Sequence, residues 1–156
     1  MKRIVSAFLA LAVSATLVVV ATNWKHSVKA VHAQGGCSLA TLTGNYAFSQ
    51  SGFEAKNVKG SPLPFAVMGV STFDGAGNFS ITYTDMSPGK PTYIPIQGAT
   101  ASGTYTVNSD CTGSLSVTAG AAAGLTANMA IIGDGTEVFS IITNPFIIAT
   151  ADWKKQ

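Results

Sequence analysis

Residues 34–156 predict an all-β domain: an antiparallel up-and-down barrel of about eight strands with one disulfide, preceded by an N-terminal signal segment. Three observations predict it. Short runs of alternating apolar and polar residues recur along the chain, and no long stretch has helical periodicity. The runs are separated by glycine, proline, asparagine and aspartate, the residues that turn a chain back on itself. Two cysteines, Cys37 and Cys111, stand 74 positions apart.

Asn45–Gln50 is the first run, with Tyr46, Phe48 and Gln50 on one face. Ser51–Pro64 is polar, holds two prolines and reads as a loop. Phe65–Phe73 follows, apolar on both faces, and Asp74-Gly75-Ala76-Gly77-Asn78 supplies residues that tolerate positive φ in a hairpin turn. The return run, Phe79–Met86, aims Phe79, Ile81 and Tyr83 inward and Ser80, Thr82 and Thr84 outward. Ser87–Pro95 is a second proline-bearing loop. Ala99–Asn108 is the fourth strand, with Tyr105 and Val107 inward, and Gly113–Thr118 returns with Leu115 and Val117 inward. Ala119–Gly124 is a small-residue loop, then Leu125–Ile132, a Gly133-Asp134-Gly135 turn, Glu137–Thr143, and Phe146–Trp153 complete the set. Gly35–Leu42 reads as a short helical turn or an irregular plug. A two-sheet sandwich is the alternative, but short consecutive turns leave little chain for Greek-key crossovers.

Adjacent isoleucines at 131/132, 141/142 and 147/148 must point to opposite faces. Part of the outer surface is therefore expected to be covered. Either a packed segment of the chain does this, or a homo-oligomer forms through strands 125–153. A membrane-embedded barrel is not expected, because the second faces carry Ser80, Thr82, Thr84, Thr104, Thr106, Ser114 and Ser116 where lipid would demand apolar side chains.

The first 33 residues differ in character. Met1-Lys2-Arg3 is a positive start, Ile4–Val20 an apolar run, and Val31-His32-Ala33 a small-residue cleavage pattern. The long apolar run also allows an uncleaved anchor, since about 20 residues span a bilayer. Either way the chain is expected to be exported, secreted or periplasmic, or else tethered to the membrane. Cysteines in that compartment pair, and closing a loop of this length contributes about 4 kcal/mol in the chain-entropy view. Both histidines and the single arginine, Arg3, belong to this segment. Residues 34–156 keep five lysines against all seven acidic residues, a net charge of −2. Such a surface has no basic excess for phosphate, so nucleic acid is not an expected partner.

Four stretches carry a resemblance: Gly44-Asn45-Tyr46-Ala47-Phe48, Phe73-Asp74-Gly75-Ala76-Gly77-Asn78, the segment Gly103 to Gly113, and the closing apolar hairpin. They resemble a group of bacterial secreted proteins, similar in layout to lipocalin-like or allene-oxide-cyclase-like barrels. The resemblance implies a barrel with an interior pocket. It carries no catalytic residue across.

Composition removes several chemistries. A Ser–His–Asp triad lacks its imidazole, and a Ser–Lys pair is not expected either. Zinc lacks histidine and free thiolate, and the Asp74–Asn78 turn offers too few oxygens for calcium, so no metal and no cofactor are expected. Asp85 is the carboxylate of interest. It continues the inward set of Phe79, Ile81 and Tyr83 toward the barrel mouth, where it is a weak catalytic candidate. Asp152 follows Phe146, Ile148 and Thr150 in the same way. Glu54 and Glu137 read as surface charges, and Trp153 as a cap on one barrel end.

Three functions fit. The first is a barrel that holds a small apolar or amphipathic ligand against Tyr46, Phe48, Gln50, Ile81, Tyr83, Asp85 and Tyr105. The second is a filled barrel acting as a structural or surface-interaction protein. The third is a cyclase- or isomerase-like enzyme with Asp85 as its acid–base group.

Overall fold

Period-two alternation runs through eight antiparallel strands in a computed structural model that describes residues 36–55, 61–86 and 95–156. The expected signal segment, 1–33, lies outside the described residues. The strands are β1 (Thr43–Glu54), β2 (Leu63–Asp74), β3 (Asn78–Met86), β4 (Ile96–Val107), β5 (Thr112–Gly120), β6 (Thr126–Ile132), β7 (Glu137–Ile142) and β8 (Ile147–Lys155). Each pairs with its sequence neighbours, and β8 returns to β1, so the sheet is a closed up-and-down barrel. Closure leaves no unpaired edge. One 3-10 turn, Leu39–Thr41, precedes β1.

Several strands run further than alternation alone suggests. Within the expected Ser51–Pro64 loop, β1 extends to Glu54 and β2 begins at Leu63, with Phe53 paired to Pro64 and Glu54 to Leu63. Ladder hydrogen bonds outweigh the local turn preference of proline and glycine here. Proline at this point sits near a strand start, where its missing N–H is tolerated. In β4 the register to β3 shifts between Tyr83 and Asp85. Ala99 opposes Tyr83 and Ile96 opposes Asp85, with Gly98 in the left-handed region at φ 68°. This bulge turns both Ala99 and Ile96 inward.

The two barrel ends differ. At one end lie the β2–β3, β4–β5 and β6–β7 turns and the chain's entry into β1. There Tyr46, Phe73 and Tyr105 form edge-to-face pairs with ring centroids 5.3 and 5.1 Å apart, and Phe79 lies 5.8 Å from Phe73. Leu42 and Val138 are wholly buried beside them. The Tyr105 hydroxyl lies 3.0 Å from the carbonyls of Leu39 and Leu42, and the Tyr46 hydroxyl donates to the carbonyl of Gly135. The 3-10 segment is thus a plug whose backbone acceptors are met by tyrosine. The Cys37–Cys111 disulfide ties that plug to the β4–β5 turn. Two aspartates organise the turns. Asp74 accepts from the backbone N–H groups of Ala76 and Asn78, and Asp110 from Thr112.

The plug geometry generates a test. Replacing both Cys37 and Cys111 by serine should lower stability by roughly 3–4 kcal/mol. The far-UV circular dichroism of a β-barrel should survive. Urea unfolding of the oxidised protein beside the double variant measures this, and equal midpoints would mean that the plug holds without its bond.

Candidate functional site

Inward side chains change size along the barrel axis, and this makes a cavity. Near the plugged end they are large: Tyr46, Phe73, Phe79 and Tyr105. Midway they shrink to Ser71, Gly69, Ala101, Gly103, Ala127, Ser140 and Ala151. The glycines are needed for space: a Cβ on Gly103 would sit 2.8 Å from the Phe79 ring, and one on Gly69 would stand 2.9 Å from Tyr83 Cβ. Above this waist lies a cavity of about 520 Å³ open at the other barrel end. Phe48, Phe79, Leu115, Ala127 and Trp153 form its deeper wall. Phe65, Val67, Ile81, Tyr83, Ile96, Val117, Leu125, Ile142 and Ile147 line it toward the mouth.

Polar groups are few. Deep in the wall the Trp153 indole N–H donates to Ser71 Oγ at 3.0 Å, and Trp153 stacks on Phe48 with centroids 5.8 Å apart. Gln50, Tyr83 and Asp85 stand higher, with Glu54 and Asn144 at the mouth. Asn144 is held by the β5–β6 connection: its amide donates to Gly124 O at 2.9 Å and its carbonyl accepts from Thr126 N at 2.6 Å. No lysine lines the cavity among the described residues.

The expected site residues divide into two groups. Phe48, Gln50, Ile81, Tyr83 and Asp85 line the cavity together. Tyr46 and Tyr105 also turn inward, but they lie in the plugged end and spend their hydroxyls on backbone carbonyls. They are framework and do not line the cavity. Asp152 is exposed on the outer wall. In β8 the inward residues are Ile147, Ala149, Ala151 and Trp153, which is the opposite parity to that expected from Phe146, Ile148 and Thr150. Trp153 belongs to the wall and does not cap an end. Glu54 borders the mouth, whereas Glu137 pairs outside the barrel with Lys154 at 3.4 Å. One Ser-x-x-Lys spacing does occur, Ser87-Pro88-Gly89-Lys90, and it lies outside the described residues. Among those residues no group of three or more histidine, cysteine or acidic side chains could hold a metal.

The inward residues that sequence reading missed are mostly small or aliphatic: Ser71, Ala99, Val67, Ala122 and Ala127. Their one signal is parity with a neighbouring aromatic, which becomes useful once the pairing register is known.

Burial sets the protonation of the interior phenols. It pushes Tyr83 above the usual value, and the charge of Asp85 acts in the same direction. Burial likewise raises Tyr46 and Tyr105. All three stay neutral donors through the physiological range. Outside, hydrogen bonds from Asn78 hold Asp74 below the ordinary carboxylate range, and those from Thr112 do so for Asp110.

Together these features define a class: a small, closed, eight-stranded antiparallel β-barrel, plugged at one end and hollow at the other. No protein-family model matches the chain, and no curated protein is significantly similar to it. Among the described residues no helix is long and apolar enough to cross a membrane.

Two predictions follow from the interior chemistry. Tyrosines unfold into water with an ordinary pKa of about 10, so the unfolded chain loses their protons first as pH rises. The tyrosine contribution should be intact below about pH 9 and lost above about pH 10. Urea midpoints at pH 8 and pH 11 check the sign, and equal values would contradict it. Ser140 Oγ is buried on β7 and has no hydrogen-bond partner among the described residues. Ser140→Ala removes that unpaired hydroxyl and should raise stability by about 1 kcal/mol, read as a higher urea midpoint with unchanged slope.

Proposed function

We propose that the barrel binds one small apolar or amphipathic molecule in its hollow end. The cavity carries this reading. Its volume of about 520 Å³ falls within the roughly 300–1,000 Å³ typical of small-molecule sites. Apolar and aromatic side chains dominate its wall, while Gln50, Tyr83 and Asp85 are spaced to orient a polar end. A filled barrel acting only through its surface would have no such void. The expected likeness in layout to lipocalin-like barrels agrees with this use. So does an exported destination, since the disulfide suits an oxidising compartment.

Asp85 favours a second reading. It lines the cavity two residues from Tyr83 on the same strand face, so an acid–base group stands beside a neutral phenol where substrate would sit. An isomerase or cyclase holding an apolar substrate in a reactive conformation could work with that pair and no imidazole.

Native mass spectrometry of protein purified from its own host separates the readings. A binder should retain a small molecule, and Ile81→Trp, which fills the cavity, should release it while the barrel still melts cooperatively. Loss of a bound apolar dye by at least about tenfold in that variant is the expected size. Asp85→Asn should keep the same molecule if the protein only binds, and accumulate a different one if it turns substrate over. Wild-type protein that arrives empty and takes up no apolar dye would end the ligand reading.

A further inference from the structure

We propose that the molecule held in the hollow end is a cationic amphiphile, an apolar body carrying a protonated amine, and that the cavity disfavours the corresponding carboxylate. This rests on the ligand reading above and adds the sign of the ligand's charge.

Strand register brings the cavity's polar groups together. Gln50 on β1 stands opposite Val67 on β2, and Val67 stands opposite Asp85 on β3. All three line the cavity, so Gln50 and Asp85 flank one valine in a single row. Neighbouring strands lie about 4.8 Å apart, which sets the two outer backbones of that row roughly 10 Å from each other. Tyr83 is the next inward residue below Asp85. It stands opposite Gly69, which puts no side chain between Tyr83 and Phe48. Toward the mouth the wall gains Glu54 and Asn144. Each of these polar groups can accept a hydrogen bond, and two of them are carboxylates.

A primary ammonium carries three N–H donors and no acceptor. The Asp85 carboxylate, the Gln50 carbonyl and the Tyr83 hydroxyl oxygen offer it acceptors from one stretch of wall. A carboxylate has about four acceptor sites, so Asp85 can take a ligand N–H beside its other interactions. The aromatic lining acts in the same sense. Phe48, Tyr83 and Trp153 all border the cavity, and an aromatic ring attracts a cation through its quadrupole.

Charge decides against an acid. Residues 34–156 contain no arginine and no histidine. Two of their five lysines stand at the plugged end: Lys154 pairs with Glu137, and the Lys155 ammonium lies 5.9 Å from the centroid of the Tyr46 ring. Lys56, Lys59 and Lys90 lie outside the described residues. Among the described residues the cavity is therefore bordered by two carboxylates, Glu54 and Asp85, and by no cation. A ligand carboxylate would bring a further negative charge into a mostly apolar space, where repulsion is screened less than in water. Burial, and then the charge of Asp85, push the Tyr83 phenol upward, so that group stays neutral beside the head group.

Decylammonium, decanol and decanoate share one chain and differ in their head groups. Isothermal titration calorimetry near neutral pH, below micelle formation, should rank them in that order of affinity, with at least about tenfold between successive dissociation constants. The advantage of decylammonium over decanol should shrink as salt is added. Asp85→Asn should bring decylammonium down to about the affinity of decanol without abolishing binding, and Asp85→Glu should keep most of the difference. Glu54→Gln, at the exposed mouth, should cost less than Asp85→Asn. Far-UV circular dichroism of each variant should match that of the wild type, and the wild-type ranking needs no variant at all. A wild type that binds decanoate as tightly as decylammonium overturns the proposal, whichever of Lys56, Lys59 and Lys90 supplies the counter-charge. So does an Asp85→Asn variant that keeps the wild-type difference. In both cases decanol binding leaves the ligand reading standing. Binding of none of the three probes, by protein that also arrives empty from its host, removes the ligand reading and this proposal together.

Discussion

The pairing of β1 with β8 is the constraint on which everything else here depends. Its ladder runs without a shift from Tyr46 opposite Lys155 to Glu54 opposite Ile147. While that seam holds, every second side chain of eight strands is directed into one narrow interior. A slip of one residue would carry Phe48 or Trp153, whichever strand slipped, to the outside together with every other inward residue of that strand. The stacked Phe48–Trp153 pair lies across this seam, and the Trp153–Ser71 hydrogen bond reaches from β8 past β1 to β2. Each interaction is worth about 1 kcal/mol, yet both fix the register rather than merely adding contact.

Closure alone would give a filled barrel, because eight strands leave room for little beyond their own side chains. The space exists because the inward positions at the waist below the open end are small, among them Ser71, Ala101, Ala127 and Ala151. A barrel that placed leucine at Ala101, Ala127 and Ala151 would gain apolar burial, about 0.8 kcal/mol for each buried CH₂. It would also close the cavity. The plugged end shows the contrary choice, with aromatic rings in contact and two tyrosine hydroxyls meeting backbone carbonyls. Stability is concentrated where the chain enters the barrel, and space is kept where it is open. A disulfide fits this division, since it stabilises the fold without occupying interior volume.

Most of the fold was legible because alternation is a local property. Phe79, Ile81 and Tyr83 against Ser80, Thr82 and Thr84 need no knowledge of the neighbouring strands. Strand ends were less legible, because Gly52, Pro64 and Gly98 carry turn preferences that the ladders override. The site was legible in direction but not in depth. Tyr46 and Phe48 share a face of β1, and only the register with β2 and β8 places the first in the plug and the second in the cavity. Asp152 illustrates a third limit. With isoleucine at both 147 and 148, hydrophobicity cannot set the parity of β8. The parity follows from Trp153, whose ring needs a buried neighbour and whose N–H needs an acceptor. The cavity itself left almost no signature, since alanine, serine and glycine read equally well as loop, outer wall or waist.

That ambiguity at β8 also explains how the molecule divides around its circumference. Strands β3 to β5 carry serine and threonine outward, a surface that water can satisfy. The sector of β7, β8, β1 and β2 has apolar residues on both faces, with Ile147 toward the cavity and Ile148 away from it. The same wall has the cavity on one side and the exposed Phe53, Ile141 and Ile148 on the other, and Phe65 borders both the cavity and an outer groove beside them. Anything that fills the cavity presses on the strands that form the outer face, so the two surfaces cannot be varied independently at Phe65. They can be varied independently at Ile81 and Met68, which stand on opposite sides of the barrel wall.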